Sequence, residues 1–419
     1  MAVQRARADQ ATPIPGVVRR NTASIAMVQA VVGAGMQLVP ALGALQVIGF
    51  LGSATFAGIT TAMMALARIL TAYHIGRLTD RHGRKLGLYL GLWLSLVGAL
   101  LVGVATQIGA FMLFCAGVLL FGVGVGAVQQ MRVAAADMYP PARRGEGISL
   151  IMMGSLFGSL ISPLVVSLGE RLARLWGLNE IALAWLLVPL LLVPLFWVTY
   201  NIRPDPKEIG QRLDSYYPQE SLQTQQTSTA QDNRAVRSSA ILTATVTQGQ
   251  MVMLMTMTAL ALKGLGCTLP QISFSVALHA FGMFAFSYVF GRLTDAIGRK
   301  PTALLGLAIG GTGSLLVGLG DAYWVITAGT FLVGLGWSAA FLSANTMLAD
   351  VTPTDLRGRA TGTLEQWSSA AGMVLPILGG LIVEYSSLHT LGFVGVAIML
   401  LPVAALLAVR EGGPGTYTR

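Results

Sequence analysis

Two runs of soft-ligand residues stand out in a largely apolar chain. Met251-x-x-x-Met255, interleaved with Met253 and Met257, lies in one apolar stretch, and His279-x-x-x-Met283 lies in the next. A spacing of four puts each pair on one face of a helix. With a turn near residue 266, Met255, His279, Met251 and Met283 lie 11, 13, 15 and 17 residues from it. At ~1.5 Å per residue their depths differ by about 9 Å, so antiparallel helices could offer three thioethers and an imidazole to one small volume. Those donors suit Cu(I) and disfavour hard cations such as Mg²⁺ or Ca²⁺. Methionine is also an ordinary packing residue, and the chain has 18 of them. A histidine deep in an apolar segment is less ordinary, because polar groups there are costly and tend to be functional.

The second chemistry is ionic. Gly76-Arg-Leu-Thr-Asp80-Arg81-His-Gly83-Arg84-Lys85 recurs, 215 residues on, as Gly291-Arg-Leu-Thr-Asp295-Ala296-Ile-Gly298-Arg299-Lys300. Asp137-x-x-Pro140-x-x-x-Arg144-Gly145 recurs as Asp350-x-x-Pro353-x-x-x-Arg357-Gly358, at an offset of 213 that Pro163 and Pro376 share. Acids at helix ends within reach of arginines on neighbouring short turns make ion pairs that form in one conformation and separate in another. The plainer reading is that these charges only hold the loops out of the lipid. Two motifs duplicated together favour a paired latch of Asp80, Arg81, Arg84, Asp137 and Arg144 with Asp295, Arg299, Asp350 and Arg357. Arg68, Gln129, Gln130, Arg132, Glu365 and Gln366 are further polar residues inside apolar runs. Arg132, five residues before Asp137, is expected in the rim network. Glu365 is a candidate proton carrier, or else the partner of an arginine at the rim.

The elements that must carry these residues are membrane spans. A mean hydropathy of +0.68, 54% hydrophobic and 11% charged residues exclude an ordinary soluble domain, where charged residues reach ~25%. A chain of 419 residues holds about twelve spans of ~20 residues. Helices are expected near 22–46, 50–75, 86–106, 109–136, 147–169, 180–201, 238–264, 268–291, 302–320, 322–349, 360–384 and 388–410, since backbone groups in lipid must be satisfied within the segment. The first apolar run reads as a span, not a signal peptide. Of 27 Lys and Arg, 22 fall in the N-terminal segment, alternate loops, central linker and tail, and three on the opposite side. That asymmetry predicts both termini in the cytoplasm, and it reads the net charge of +9 as topology and not nucleic-acid binding. The predicted organisation is a cytoplasmic segment 1–21, a six-helix bundle 22–201, a polar linker 202–237, a second bundle 238–410 and a tail 411–419. Glycine runs such as Gly122-Val-Gly124-Val-Gly126 read as close helix packing. The two cysteines, Cys115 and Cys267, form no motif.

With these motifs the chain resembles the major facilitator superfamily over nearly its whole length. That family's loop signature, G-x-x-x-D-R-x-G-R-K, is complete in 76–85, and 291–300 lacks only the arginine after its aspartate, where Ala296 stands. The resemblance implies an all-α membrane protein of two pseudo-symmetric six-helix bundles. Gly154, Gly158 and Pro163 are similar to the antiporter signature of the fifth helix, but Ser162 stands before Pro163 where that signature has glycine. The M-x-x-x-M and H-x-x-x-M pairs resemble the CcoA-like copper importers, a bacterial branch that also holds riboflavin carriers. This resemblance implies Met251, Met255, His279 and Met283 as cargo ligands.

The expected function is therefore secondary transport by alternating access, with Cu(I) as one cargo and a small organic molecule such as a vitamin or drug as the other. No cofactor is required, the partners are the cargo and the bilayer, and a monomer is the expected state. A receptor that binds without translocating is the alternative class, though it has no need of matched latches. No HExxH, Ser/His/Asp arrangement or phosphate loop points to an enzyme.

Overall fold

The computed structural model describes residues 13–52, 59–218, 234–267, 269–413 and 416–418. Twelve long helices carry the fold. The first half holds α1 (Gly16–Leu51), α2 (Ile59–His82), α3 (Arg84–Ile108), α4, α5 (Arg144–Trp176) and α6 (Glu180–Tyr200). The second holds α7 (Arg234–Gly264), α8, α9 (Arg299–Leu319), α10 (Tyr323–Asp350), α11 (Arg357–Tyr385) and α12 (Leu388–Leu407). Two helices are broken: α4 runs Phe111–Gln130 and then Arg132–Met138, and α8 runs Leu269–Phe284 and then Ser287–Ile297. In α8 the Ser287 hydroxyl donates to the Met283 carbonyl at 3.1 Å, the back-bonding that bends helices.

Among the described residues ten segments are long and apolar enough to cross a membrane. The helices that miss this mark are α2, with Arg68, His74 and several threonines, and α7, with Gln248, Gln250 and a row of threonines. Part of that polarity is interior: Thr60, Thr79, Thr243, Thr247 and Gln250 are buried, while His74 and Thr256 are exposed. The outside of the molecule is apolar: Leu160, Leu164, Leu190, Trp197, Ile377 and Leu400 are all more than half exposed, as side chains facing lipid should be.

Among the described residues of 202–237, expected as a linker with no assigned fold, two short helices form, Pro206–Gln211 and Leu213–Tyr216, and 219–233 lie outside the described residues. Asp205 caps the first by accepting the Lys207 N–H at 2.8 Å, and Pro206 opens it. Beyond α12 a small antiparallel ribbon pairs Arg410–Gly413 with Thr416–Thr418.

Each half packs mainly on itself. In the first, α3 lies along α4 and α1 along α5; in the second, α9 lies along α10 and α7 along α11. The halves meet through α2 against α11 and through α5 against the second piece of α8. Among the described residues neither α1 nor α7 packs against the opposite half. Cross-interface ion pairs and close backbone contacts lie at the end that carries the α2–α3 and α8–α9 turns.

Candidate functional site

The two charged turns owe their shape to glycine. Gly83 and Gly298, which open α3 and α9, have φ of 96° and 107°, a region that residues with a side chain rarely enter. Each turn delivers an arginine into the interface with no exposed surface, Arg84 in one half and Arg299 in the other.

Arg84 pairs with Asp80 at 2.8 Å and with Asp137 at 2.7 Å, and the second oxygen of Asp137 takes Arg357 of the other half at 2.9 Å. The mirror network joins Arg299 to Asp295 at 3.5 Å and to Asp350 at 2.7 Å, and Asp350 takes Arg144 at 2.7 Å. Each network holds two carboxylates and two guanidiniums, so the buried charge is balanced. Both arginines also cross the interface directly, Arg84 donating to the Thr354 carbonyl at 2.9 Å and Arg299 to that of Pro141. The acids cap helices in trans as well. Asp80 accepts the N–H groups of Gly358 and Arg359 at the start of α11, and Asp295 those of Gly145 and Glu146 at the start of α5. Glycine lets the backbones come this close: a side chain on Gly145 would stand 2.6 Å from the Gly291 carbonyl oxygen.

Arg81 is the exception among the expected latch residues. It is exposed and joins no ion pair among the described residues, a correction that fits the alanine at the matching position of the second turn. Two rim residues escaped the sequence reading. Asp205 accepts the first N–H groups of α3 at 3.0 and 2.9 Å, and Glu411 those of α9 at 2.8 Å. The available signal was positional: each is a lone acid a few residues past the last helix of its half.

The methionine and histidine residues are not gathered as a tight helix pair would gather them. Helices α7 and α8 barely touch; α7 packs against α10, α11 and α12, while α8 packs along α10. His279 is buried, and its Nδ1–H donates to the Thr330 carbonyl of α10 at 2.7 Å. Its Nε2 is buried with no hydrogen-bond partner. Met251 is buried, and Met255 and Met283 are half-buried. Met253, not singled out as a ligand, packs against Gly379 of α11.

The polar residues inside the helices form a different cluster. Arg132, expected at the rim with Asp137, instead makes an ion pair with Glu365 of α11, across the interface. Its guanidinium lies 5.1 Å above the Phe341 ring, which stacks on Trp337 at 4.7 Å and 13°. Trp337 in turn donates to Gln248 of α7 at 2.8 Å. Arg68 of α2 lies within electrostatic reach of both Glu365 and Arg132.

Two duplicated helical bundles, latched at one end and enclosing buried charge between them, define a multi-pass membrane transporter rather than an enzyme. The model of the Major Facilitator Superfamily matches residues 23–261 and 239–417, and the chain belongs to that superfamily. It is 28% identical to an uncharacterized MFS-type transporter, YdeG, of Bacillus subtilis, covering 88% of each chain. It is 23% identical to the riboflavin transporter RfnT of Brucella anthropi, covering 93% of this chain and 94% of that one. The solved structure of the proton:xylose symporter XylE shares the fold, with a TM-score of 0.76 at 13% identity over 96% of this chain and 97% of that one.

Proposed function

We propose that this chain is a monomeric secondary transporter of the cytoplasmic membrane, with both termini inside, that moves a small organic cargo by alternating access and couples it to protons through Glu365. The observation that carries this reading is the Arg132–Glu365 ion pair, which joins the halves deeper than the latches do. Glu365 is the carboxylate of that pair, and a motion that draws the halves apart parts it from its arginine and leaves a buried charge alone. The closed rim bears the start of α1, the residues after α6 and the end of α12, so with the termini inside it is the cytoplasmic side that is closed. The relative named as a riboflavin transporter supports an organic cargo.

Reconstituted into liposomes, the wild-type chain should accumulate riboflavin under an inward proton gradient, and Glu365→Gln should exchange it without accumulating it. Gradient-driven accumulation by that variant would remove the proton role.

The second reading is Cu(I) import through Met251, Met255, His279 and Met283. One observation favours it: Nδ1 of His279 holds the proton, which leaves Nε2 a buried free donor for a metal. Copper accumulation is measured in cells expressing wild type, Met255→Ala or His279→Ala. Equal uptake in all three ends the metal reading.

A further inference from the structure

We propose that Arg68 and Arg132 bind the anionic group of the cargo, a carboxylate or phosphate on a planar aromatic body, at the base of the space between the halves. This rests on the transporter reading above and names the class of its cargo.

The charge balance comes first. The four aspartates of the rim are committed to the two latches, each neutral in itself. Deeper in, Arg132 pairs with Glu365, while Arg68 makes no ion pair among the described residues and lies only within electrostatic reach of that carboxylate. A buried cation without a counterion is costly, and a site that keeps one is built for an anion that comes and goes.

The donors are also waiting. Nε of Arg68 and Nε of Arg132 are both buried with no hydrogen-bond partner, as are both amide atoms of Gln130. The Nη2 of Arg68 meets only the thioether of Met36, at 3.5 Å, and Gln129 meets the same sulfur at 3.0 Å. A thioether is a weak acceptor that an oxyanion would displace. Arg132 is itself more than nine-tenths buried, at 7% exposure.

Position and shape agree. Arg68 stands twelve residues from Asp80, about 18 Å along α2 from the latch and so near the middle of a bilayer. Its stem passes Gly126, where a side chain on α4 would lie 3.2 Å from Cγ. The Trp337–Phe341–Arg132 stack offers a flat aromatic wall that ends in a guanidinium. A ligand with its anion on Arg68 and Arg132 touches α2 and α4 of one half and α10 of the other. By taking Arg132 from Glu365 it dissolves an ion pair that joins the halves, which couples occupancy to motion.

The test measures thermal unfolding of the purified full-length chain in detergent with benzoate, phenyl phosphate or neutral benzamide. Benzoate or phenyl phosphate should raise the midpoint by roughly 3 °C, benzamide should not, and the stronger of the two anions identifies the preferred group. Arg68→Gln should lose the shift and Arg68→Lys should keep part of it. An equal shift with benzamide, no shift with either anion, or an undiminished shift in Arg68→Gln would overturn the site. The benzoate–benzamide comparison in wild type needs no variant, so a misfolded substitution leaves the test intact. Anion binding with no flux of any solute in proteoliposomes would overturn the transporter reading and leave the site. Proton-driven flux of an aromatic carboxylate undiminished in Arg68→Gln, with no anion shift, would do the reverse.

Discussion

The Asp80 carboxylate on α2 accepts the backbone N–H of Gly358 at 2.7 Å, so one half of the molecule caps a helix of the other. Asp295 returns the arrangement on the N-terminus of α5, through Gly145. A cap contributes about 1 kcal/mol and the helix dipole up to about 1 more. Contacts of that size hold a rim closed and still let it open, which is what a two-state carrier requires.

Asp80→Asn removes the charge that faces the α11 N-terminus and Arg84. The closed rim should weaken by about 1.4 kcal/mol, so the form open at that rim grows about tenfold relative to it. With Cys115 and Cys267 replaced by serine, a Thr354→Cys reporter should react faster with an impermeant maleimide in inside-out vesicles. Unchanged labelling would remove the latch role of Asp80, and so would undiminished transport.

Asp137 and Arg357 form a buried pair across the interface, 2.9 Å apart, so removing either should be worse than removing both. Asp137→Asn leaves Arg357 with no ion-pair partner and Arg84 with Asp80 alone, and Arg357→Gln leaves Asp137 with Arg84 alone; each single change should cost about 3 kcal/mol. The double variant should recover 1 kcal/mol or more relative to the sum, read as the coupling in a thermal-unfolding cycle. Strict additivity would mean that the pair does not act as one unit.

Gly145 faces the Gly291 carbonyl with no room for a side chain. Gly145→Leu should therefore hold α5 away from α8, keep the linker-side rim open and stop transport while the protein still reaches the membrane. The same Thr354→Cys reporter checks it. Gly16, which has nothing near it, is the control position: Gly16→Ala should label and transport as wild type does.

The latches were legible because their chemistry is local and duplicated. Asp80, Arg84, Asp137 and Arg144 repeat as Asp295, Arg299, Asp350 and Arg357, and an ion pair at a short turn follows from residue types alone. Which acid meets which arginine was not legible, since the pairs Asp137–Arg357 and Arg144–Asp350 join residues more than 200 apart. Arg132 shows the limit most clearly. Its neighbour in sequence is Asp137, on the same short helix Arg132–Met138, but five residues turn the two to different faces, and its partner is Glu365. Met251 and His279 show another limit. Equal depth on consecutive helices was read as proximity, whereas α8 leaves α7 and packs along α10. Arg81 was carried into the latch by its motif alone, and the second turn does without it.

His279 separates the two cargo readings by a measurement that needs no transport. Its ring is held by the Thr330 carbonyl and lies against Gly334 of α10, so part of its role is packing between α8 and α10. His279→Ala should cost about 1–3 kcal/mol through the lost hydrogen bond and the space left behind. His279→Gln can present an amide N–H to the same carbonyl and should recover much of that stability while losing the imidazole nitrogen. On the packing reading the Gln variant behaves as wild type in every assay, with or without copper. On the metal reading, Cu(I) raises the unfolding midpoint of wild type only, and Met255→Ala loses that rise although its own stability hardly changes. A Cu(I)-dependent rise that survives both His279→Gln and Met255→Ala would place any copper site elsewhere in the molecule.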